Sequence, residues 1–124
     1  MIRLFTLLIF LCCFLSCQAT TNQQMVTGAQ QLDLLIPKIK TLKVGLVVNH
    51  TSLVGTTHLA DTLLSRGIKI VKIFAPEHGF RGDAADGEFV NDSLDKKTGI
   101  PLLSLHGANK KPSPAQLNGI DVII

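Results

Sequence analysis

The sequence predicts an α/β fold in which a parallel sheet carries helices on its faces. Apolar runs of strand length recur along the chain, at 42–48, 68–74, 100–105 and 120–124. The first two runs flank a segment with helical spacing and short joints, which is the pattern of a βαβ unit with parallel strands. The run at 42–48 is also nearly continuous in apolar residues, as expected for a strand that is covered on both faces.

Residues 1–17 are predicted to be a targeting segment. Arg3 precedes an apolar run that is short for a lasting membrane span. The run ends in Ser16-Cys17, which resembles the bacterial lipobox with Cys17 as the lipidated residue. The alternative is plain secretion after cleavage behind Ala19. Both interpretations predict a location in the cell envelope, and only the first predicts a membrane contact, through a lipid anchor at Cys17.

Residues 18–27 are polar and are predicted to form a tether, which leaves 28–124 as the folded domain. The 3 cysteines of the chain all lie in the leader, at positions 12, 13 and 17. The domain is therefore predicted to contain neither a disulfide nor a thiolate metal site.

The first helix is predicted to begin at Thr27-Gly28-Ala29, because apolar residues recur at helical spacing from Leu32 to Ile39. Proline lacks an amide N–H and disfavours a helical residue before it, so Pro37 is predicted to end this helix near Leu35 or Ile36. The strand over 42–48 follows, and it leads into a polar loop, Asn49-His50-Thr51-Ser52.

The second helix is predicted to be capped by Thr56 or Thr57 and to end at Gly67. The strand over 68–74 then stops at Pro76, which cannot donate to a sheet. The following loop, 75–99, is rich in Gly and Asp, and a loop of this length is usually functional or mobile.

The strand over 100–105 is followed by a short helix, with Ser113 as its N-cap, Pro114 as its first residue and Asn118-Gly119 at its end. The last apolar run, 120–124, is predicted to be a strand. An apolar strand is expected to be followed by more structure, so this chain is predicted to be an amino-terminal domain truncated before a second domain.

Polar groups follow three of the predicted strands. They are Asn49-His50-Thr51 after the first, Glu77-His78 after the second, and Ser104 with His106 at the end of the third. The carboxyl ends of parallel strands share one edge of a sheet, and α/β enzymes build their sites at that edge. Each residue alone is more often a capping or solvated group, but together they favour a site.

Glu77 is the leading catalytic candidate, because it leaves an apolar strand directly after a proline. Partial burial would raise the pKa of its carboxyl group and suit it to general acid catalysis. His78 could orient Glu77 or contact a substrate. Glu88 is a second carboxylate in the same loop, and glycoside hydrolysis normally requires two carboxylates.

Arg81 has two interpretations of about equal weight. It could bind a carboxylate on a ligand, or it could form an internal ion pair with Asp83 and Asp86 in a surface turn.

Other functions fit the sequence less well. The first strand lacks a Gly-x-Gly-x-x-Gly turn and the chain lacks a phosphate loop, so the sequence does not support a dinucleotide cofactor. No serine lies in a Gly-x-Ser-x-Gly elbow. The net charge is +3 with scattered lysines, which argues against nucleic-acid binding. A metal site of His50, His78, Glu77 and Asp83 is chemically possible, but no ligand spacing supports it, so no metal is predicted.

Several stretches resemble the exo-β-N-acetylmuramidase NamZ family, formerly a domain of unknown function. They are Val44–Thr51, Phe74–Asp83 with its Pro-Glu-His-Gly-x-Arg-Gly run, Gly87-Glu88, Lys97–Pro101 and Ser104–Gly107. The resemblance covers roughly 28–124. It implies a Rossmann-like amino-terminal domain, a second α/β domain, and a site in the cleft between them.

The resemblance also implies an exo-acting glycoside hydrolase that releases N-acetylmuramic acid from peptidoglycan fragments without a cofactor. Its substrates would be muropeptides or disaccharides. Motif matching assigns catalysis to Glu77, with Glu88 and His78 as the other catalytic candidates. The substrate-binding candidates are Asn49, His50, Arg81 and His106, and the lactyl carboxylate of muramic acid would be the partner of Arg81.

The fragment alone is expected to be inactive, since the second domain is missing. Two alternatives of other classes stay open: a non-catalytic muropeptide-binding envelope lipoprotein, and a metal-dependent hydrolase.

Overall fold

The computed structural model describes residues 25–76, 79–82, 92–107 and 110–124. The predicted leader, 1–17, and most of the predicted tether lie outside these residues. So do the catalytic candidates Glu77, His78 and Glu88, together with Asp83 and Asp86.

The described residues form strands and helices in mixed order. The strands are β1 (Lys43–Val47), β2 (Leu53–Val54), β3 (Thr57–His58), β4 (Lys69–Ala75), β5 (Ser93–Leu94), β6 (Pro101–Ser104) and β7 (Val122–Ile123). The helices are a 3₁₀ turn (Gly28–Gln30), α1 (Leu32–Ile39), α2 (Leu59–Ser65) and α3 (Pro114–Leu117). No helix in the described part of the chain is long and apolar enough to cross a membrane.

One five-stranded sheet, in the order β5-β6-β4-β1-β7, organises the fold. The strand β1 pairs in parallel with β4 and with β7, and β4 pairs in parallel with β6. The predicted α/β, Rossmann-like class is therefore confirmed. The prediction of an entirely parallel sheet needs one correction, because β5 lies inside the predicted loop 75–99 and pairs antiparallel with β6.

Both faces of the sheet are covered, which explains why the middle of β1 and the end of β4 are buried and apolar. The helices α1 and α2 bury Leu32, Ile39 and Leu63 in one core cluster with Val44 and Leu46 of β1. Side chains alternate along a strand, so Gly45 faces the other side of the sheet. A Cβ on Gly45 would lie 2.9 Å from Ile120 Cδ1 and 3.5 Å from Phe74 Cε2, so the segment before β7 packs directly on that face.

Pro37 does not end the first helix, contrary to the sequence prediction. The helix continues to Ile39, and the Lys40 N–H still donates to the Ile36 carbonyl at 3.0 Å. Pro37 lies on the exposed side of α1. Water can therefore bond to the carbonyl that the proline ring leaves without an amide partner, and burial of Leu32 and Ile39 stabilises the helix on its other side.

The predicted cap of the second helix is also wrong. Thr57 belongs to the β2–β3 hairpin, and the N-cap is His58, whose Nδ1 accepts the Ala60 N–H at 3.2 Å. The predicted start of the short third helix is confirmed. Ser113 is its N-cap, its hydroxyl accepts the Gln116 N–H at 3.2 Å, and Pro114 is the first helical residue.

Candidate active site at the strand ends

The carboxyl ends of β1, β4 and β6 lie side by side at one edge of the sheet. Val47 of β1 is in register with Phe74 of β4, and Ala75 of β4 is in register with Ser104 of β6. The pairing continues past the strands, because Val48 N–H donates to the Phe74 carbonyl at 3.1 Å and Leu105 N–H to the Ala75 carbonyl at 2.8 Å. The segments that begin at Asn49, Pro76 and Leu105 therefore leave the sheet next to one another.

Asn49 organises the loop after β1. Its Oδ1 accepts hydrogen bonds from the Thr51 N–H at 3.1 Å, from Thr51 Oγ1 at 2.9 Å and from Ser52 Oγ at 3.3 Å. An Asn side chain that bonds to its own following backbone fixes a tight turn. The half-buried Asn49 is thus a structural residue of this loop, and its predicted contact with a sugar stays a prediction.

His58 ties this loop to helix α2. Its Nε2 lies 2.8 Å from the Asn49 carbonyl oxygen, while its Nδ1 accepts the Ala60 N–H. Because Nδ1 accepts a hydrogen bond, it carries no proton, and because a carbonyl oxygen can only accept, Nε2 must be the donor. The ring is therefore a neutral imidazole with its proton on Nε2. The ring is buried, with 8% exposed, and it meets the Phe80 ring edge-on at a centroid distance of 4.6 Å.

The chain after β4 is held on both sides of Glu77-His78. The Gly79 N–H donates to the Pro76 carbonyl at 3.3 Å, and Phe80 is buried in the main core with 3% exposed. Gly82 has φ +80°, and a Cβ there would lie 3.2 Å from His50 Cβ. The segment 79–82 therefore packs against the loop after β1.

Arg81 bonds to two carboxylates of this chain. Its Nη1 and Nη2 donate to Asp61 of α2, at 3.1 Å each, and its Nε and Nη2 donate to Asp95 at 2.8 and 2.9 Å. Lys97 Nζ also donates to Asp61, at 2.8 Å. We refer to Asp61, Arg81, Asp95 and Lys97 as the ion-pair network.

The internal partners of Arg81 in the described structure are thus Asp61 and Asp95. The predicted partners Asp83 and Asp86 lie outside the described residues, and the contact of Arg81 with a ligand carboxylate stays a prediction.

Asp95 is the most buried carboxylate of the network, with 4% of its side chain exposed. Its Oδ2 also accepts the Thr98 N–H at 3.1 Å and the Thr98 hydroxyl at 2.6 Å. The hydrogen bonds from Arg81 outweigh the effect of burial and, with those from Thr98, lower the pKa of Asp95 to about 2. The Arg81 hydrogen bonds likewise lower the pKa of Asp61, and the two carboxylates raise the pKa of Arg81.

The end of β6 is also fixed by side chains. The buried Ser104 donates its N–H to Asp92 Oδ1 at 3.0 Å, and its hydroxyl accepts the His106 N–H at 3.2 Å. His106 is half-buried there, whereas His50 at the end of β1 is exposed. Both residues make further interactions, so neither is without a partner at this edge.

The described residues contain no group of three or more His, Cys, Asp or Glu side chains arranged to hold a metal ion. Of the metal ligands considered from the sequence, only His50 lies among the described residues. An open, mostly apolar cavity of about 390 Å³ lies at another place, between the 3₁₀ turn, α1, Leu59 and Ile124. Its described lining residues include no carboxylate, so this cavity is not a candidate hydrolase site.

Sequence reasoning missed the residues that hold the edge together, namely His58, Asp61, Asp95 and Thr98. One local signal was present, because Asp95 is followed three residues later by Thr98 and then by Gly99, whose φ is +71°. An Asp with a hydroxyl residue and a glycine at this spacing is typical of a turn closed by the Asp side chain. No such signal marks Asp61 or His58.

Comparison with known proteins finds one family model and one curated relative that match most of this chain. A protein-family model described as "Exo-beta-N-acetylmuramidase NamZ, N-terminal" matches residues 44–124. Peptidoglycan β-N-acetylmuramidase NamZ of Bacillus subtilis (strain 168) is 35% identical over 113 residues, which are 86% of this chain and 27% of that protein.

Two crystal structures of DUF1343 family proteins from Bacteroides fragilis are also similar. One is 40% identical with a TM-score of 0.63 and aligns over 77% of this chain and 23% of its own. The other is 31% identical with a TM-score of 0.64 and aligns over 74% of this chain and 23% of its own. The chain thus spans about a quarter of the length of these relatives.

Proposed function

We infer that this chain, which belongs to the exo-β-N-acetylmuramidase NamZ amino-terminal family, contributes the strand-end part of the active site of an exo-acting glycoside hydrolase. The proposed reaction releases N-acetylmuramic acid from peptidoglycan-derived muropeptides or disaccharides. One observation carries the proposal: the family match over 44–124 contains the whole described edge, from the Asn49 loop through Arg81 to His106.

In this proposal Glu77 is the general acid that protonates the glycosidic oxygen as the bond breaks. Glu88 is the second carboxylate, which acts on the other side of the sugar, and His78 orients Glu77. These three residues lie outside the described part of the chain. The residues on either side support this assignment, since Pro76 follows β4 between the ends of β1 and β6 and its carbonyl accepts the Gly79 N–H.

Sugar contacts are assigned to Asn49, His50 and His106, which belong to the segments that leave β1 and β6. Hydroxyl and amide groups of an amino sugar bind to such side chains by hydrogen bonds, so this edge suits a glycan better than an apolar ligand.

A glycan substrate from the cell wall also agrees with export to the cell envelope, which the leader at 1–17 predicts. The relative from Bacillus subtilis is a peptidoglycan β-N-acetylmuramidase. We therefore propose an envelope location for this protein, either as a lipoprotein anchored at Cys17 or as a secreted protein.

The test uses the full gene product, with every residue that the gene encodes, and a chromogenic N-acetylmuramide. Glu77→Gln keeps the size of the side chain and removes the acid, so kcat should fall by about 10²- to 10⁴-fold. Asp33→Asn is the matched control, because the Asp33 side chain is 97% exposed on α1 and should leave kcat unchanged.

Three other results would change the assignment. Unchanged kcat in Glu77→Gln would remove Glu77 from the mechanism. Saturable binding of muropeptides without product in the unaltered protein would support the binding lipoprotein instead. Loss of activity on chelation, restored by a divalent metal, would support a metal-dependent hydrolase.

A further inference from the structure

We propose that the ion-pair network positions the chain that follows β4, and that Arg81 acts on catalysis through this placement and not by binding the carboxylate of the substrate. The inference rests on the proposed function and deepens it, because it assigns a positioning role to a residue of the family motif.

The geometry of Arg81 is that of a bridge between two parts of the chain. Nη1 and Nη2 donate to Asp61, which lies 20 residues earlier in the chain, in α2. Nε and Nη2 donate to Asp95, which lies 14 residues later, directly after β5. A planar guanidinium can bond to two carboxylates along two of its edges at fixed angles, so both its position and its orientation are determined.

The charges of the ion-pair network already balance. Arg81 and Lys97 carry two positive charges, and Asp61 and Asp95 carry two negative charges. The oxygens of Asp61 and Asp95 already lie 2.8 to 3.1 Å from the guanidinium nitrogens of Arg81. A substrate carboxylate that approached Arg81 would be repelled by these two negative charges, so the network offers little attraction to an added anion.

The neighbours of Arg81 transmit its placement to the candidate site. The guanidinium carbon lies 4.5 Å from the centre of the Phe80 ring, which packs on the ring of His58, and His58 bonds to the Asn49 carbonyl. On the other side, Gly82 lies against His50. A shift of Arg81 would therefore move the segment 79–82 relative to both residues of the β1 loop.

The experiment compares Arg81→Gln, Arg81→Lys and Asp61→Asn in the full gene product. The matched control is Arg66→Gln, because Arg66 forms a long surface ion pair with Asp33, at 3.9 Å and with 55% of Arg66 exposed. Two chromogenic muramides are assayed, one with the free lactyl carboxylate and one in which that carboxylate is converted to a methylamide. The imidazole NMR signals of His50 and His58 are recorded for each variant.

Positioning predicts that kcat falls by about 10- to 100-fold in Arg81→Gln and to a smaller extent in Asp61→Asn, by the same factor for both substrates. KM should change by less than about threefold, and the signals of His50 should shift. Arg81→Lys should not rescue kcat, because an ammonium cannot bond along two edges. Arg66→Gln should behave as the unaltered protein.

Carboxylate binding predicts a different result, and that result would overturn the inference. KM for the carboxylate substrate would rise in Arg81→Gln while KM for the methylamide stayed constant, and Asp61→Asn would have no effect on kcat. Unchanged kcat and unchanged His50 signals in Arg81→Gln would overturn it as well.

Failure of the proposed function gives a separate result. If the unaltered protein hydrolyses neither muramide, the proposed glycosidase activity is wrong. The NMR signals then decide the inference, because they must still shift in Arg81→Gln and Asp61→Asn if the network places this segment. If Arg81→Gln does not fold, kcat and the His50 signals are measured in Asp61→Asn instead. In that variant Arg81 still has its ion pair with Asp95, so the protein is expected to fold.

Discussion

Gly82→Ala tests whether the loops after β1 and β4 are packed together at the candidate site. Gly82 has φ +80°, and an added Cβ would lie 3.2 Å from His50 Cβ and 3.4 Å from His50 Cγ. The substitution therefore introduces backbone strain and a contact that is tighter than ordinary packing. His50 must move by a few tenths of an ångström to relieve that contact.

The magnitude follows from two separate terms. A left-handed backbone conformation costs a residue with a side chain about 1–2 kcal/mol. Alanine also makes the unfolded chain less flexible than glycine does, which returns about 0.4–1 kcal/mol of folding stability. Overpacking in a rigid site costs about a further 1–3 kcal/mol. Because His50 is exposed and can move aside, we expect a cost near the lower end of that range, about 1 kcal/mol. We expect Gly82→Ala to lower the free energy of unfolding by about 2 kcal/mol.

Gly55→Ala is the matched control. Gly55 has φ +61° in the β2–β3 turn, and nothing lies within 4 Å of its added Cβ, so this variant carries the strain without the contact. Its free energy of unfolding should fall by about 1 kcal/mol, as measured by urea unfolding of the full gene product. Only Gly82→Ala should also lower kcat on a chromogenic muramide, by about 3- to 10-fold, because it alone displaces His50.

Equal losses of stability in the two variants, with kcat unchanged in both, would refute the reasoning. That result would mean that His50 yields without any consequence for the site. It would also remove the argument that segment 79–82 and the Asn49-His50 loop form one surface.

The remaining predictions concern Asp95 and His58. The folded pKa of Asp95, about 2, lies below its ordinary value near 4. Its stabilisation, about 2 kcal/mol, is therefore complete above about pH 4 and is lost as the pH falls through about 2. Urea unfolding between pH 2 and 5 should show this loss. In Asp95→Asn the free energy of unfolding should depend less on pH over the same range. His58→Asn should destabilise the protein less than His58→Ala, because Asn can still cap α2. The shorter Asn side chain should nevertheless lose the hydrogen bond to the Asn49 carbonyl and lower kcat. Equal stability of the two variants would contradict a capping role for His58.

The sheet was predictable from the sequence, because its longer strands are buried and apolar over several consecutive residues. The hairpin β2–β3 and the strand β5 were not, since each of these strands has two residues. A two-residue strand shows no periodicity, and its position depends on pairing with a strand elsewhere in the chain. Local rules also failed at Pro37 and at Thr57, where burial and hairpin pairing determined the structure instead.

For the candidate site, the sequence indicated only a place on the sheet. Parallel strands and the polar residues after them indicate one edge of the sheet, and the register of β1, β4 and β6 gives that edge. The partners of Arg81 were not predictable, because Asp61 and Asp95 are 20 and 14 residues away. Sequence reasoning favoured nearby acidic residues, whereas the fold brings distant ones to the guanidinium.

The chain after β4 needs both apolar burial and charge pairing, and the two contribute different properties. Burial of Phe80, which is 3% exposed, stabilises the fold by about 1.5–3 kcal/mol, but the hydrophobic effect has no preferred direction. The charge pairing at Asp95 also stabilises the fold, by about 2 kcal/mol after the cost of burial is counted. Its hydrogen bonds, however, have fixed lengths and angles. Phe80 therefore holds segment 79–82 on the core, while Asp61 and Asp95 set the orientation of Arg81. A fixed orientation of this segment is what the proposed role of Glu77 as general acid requires.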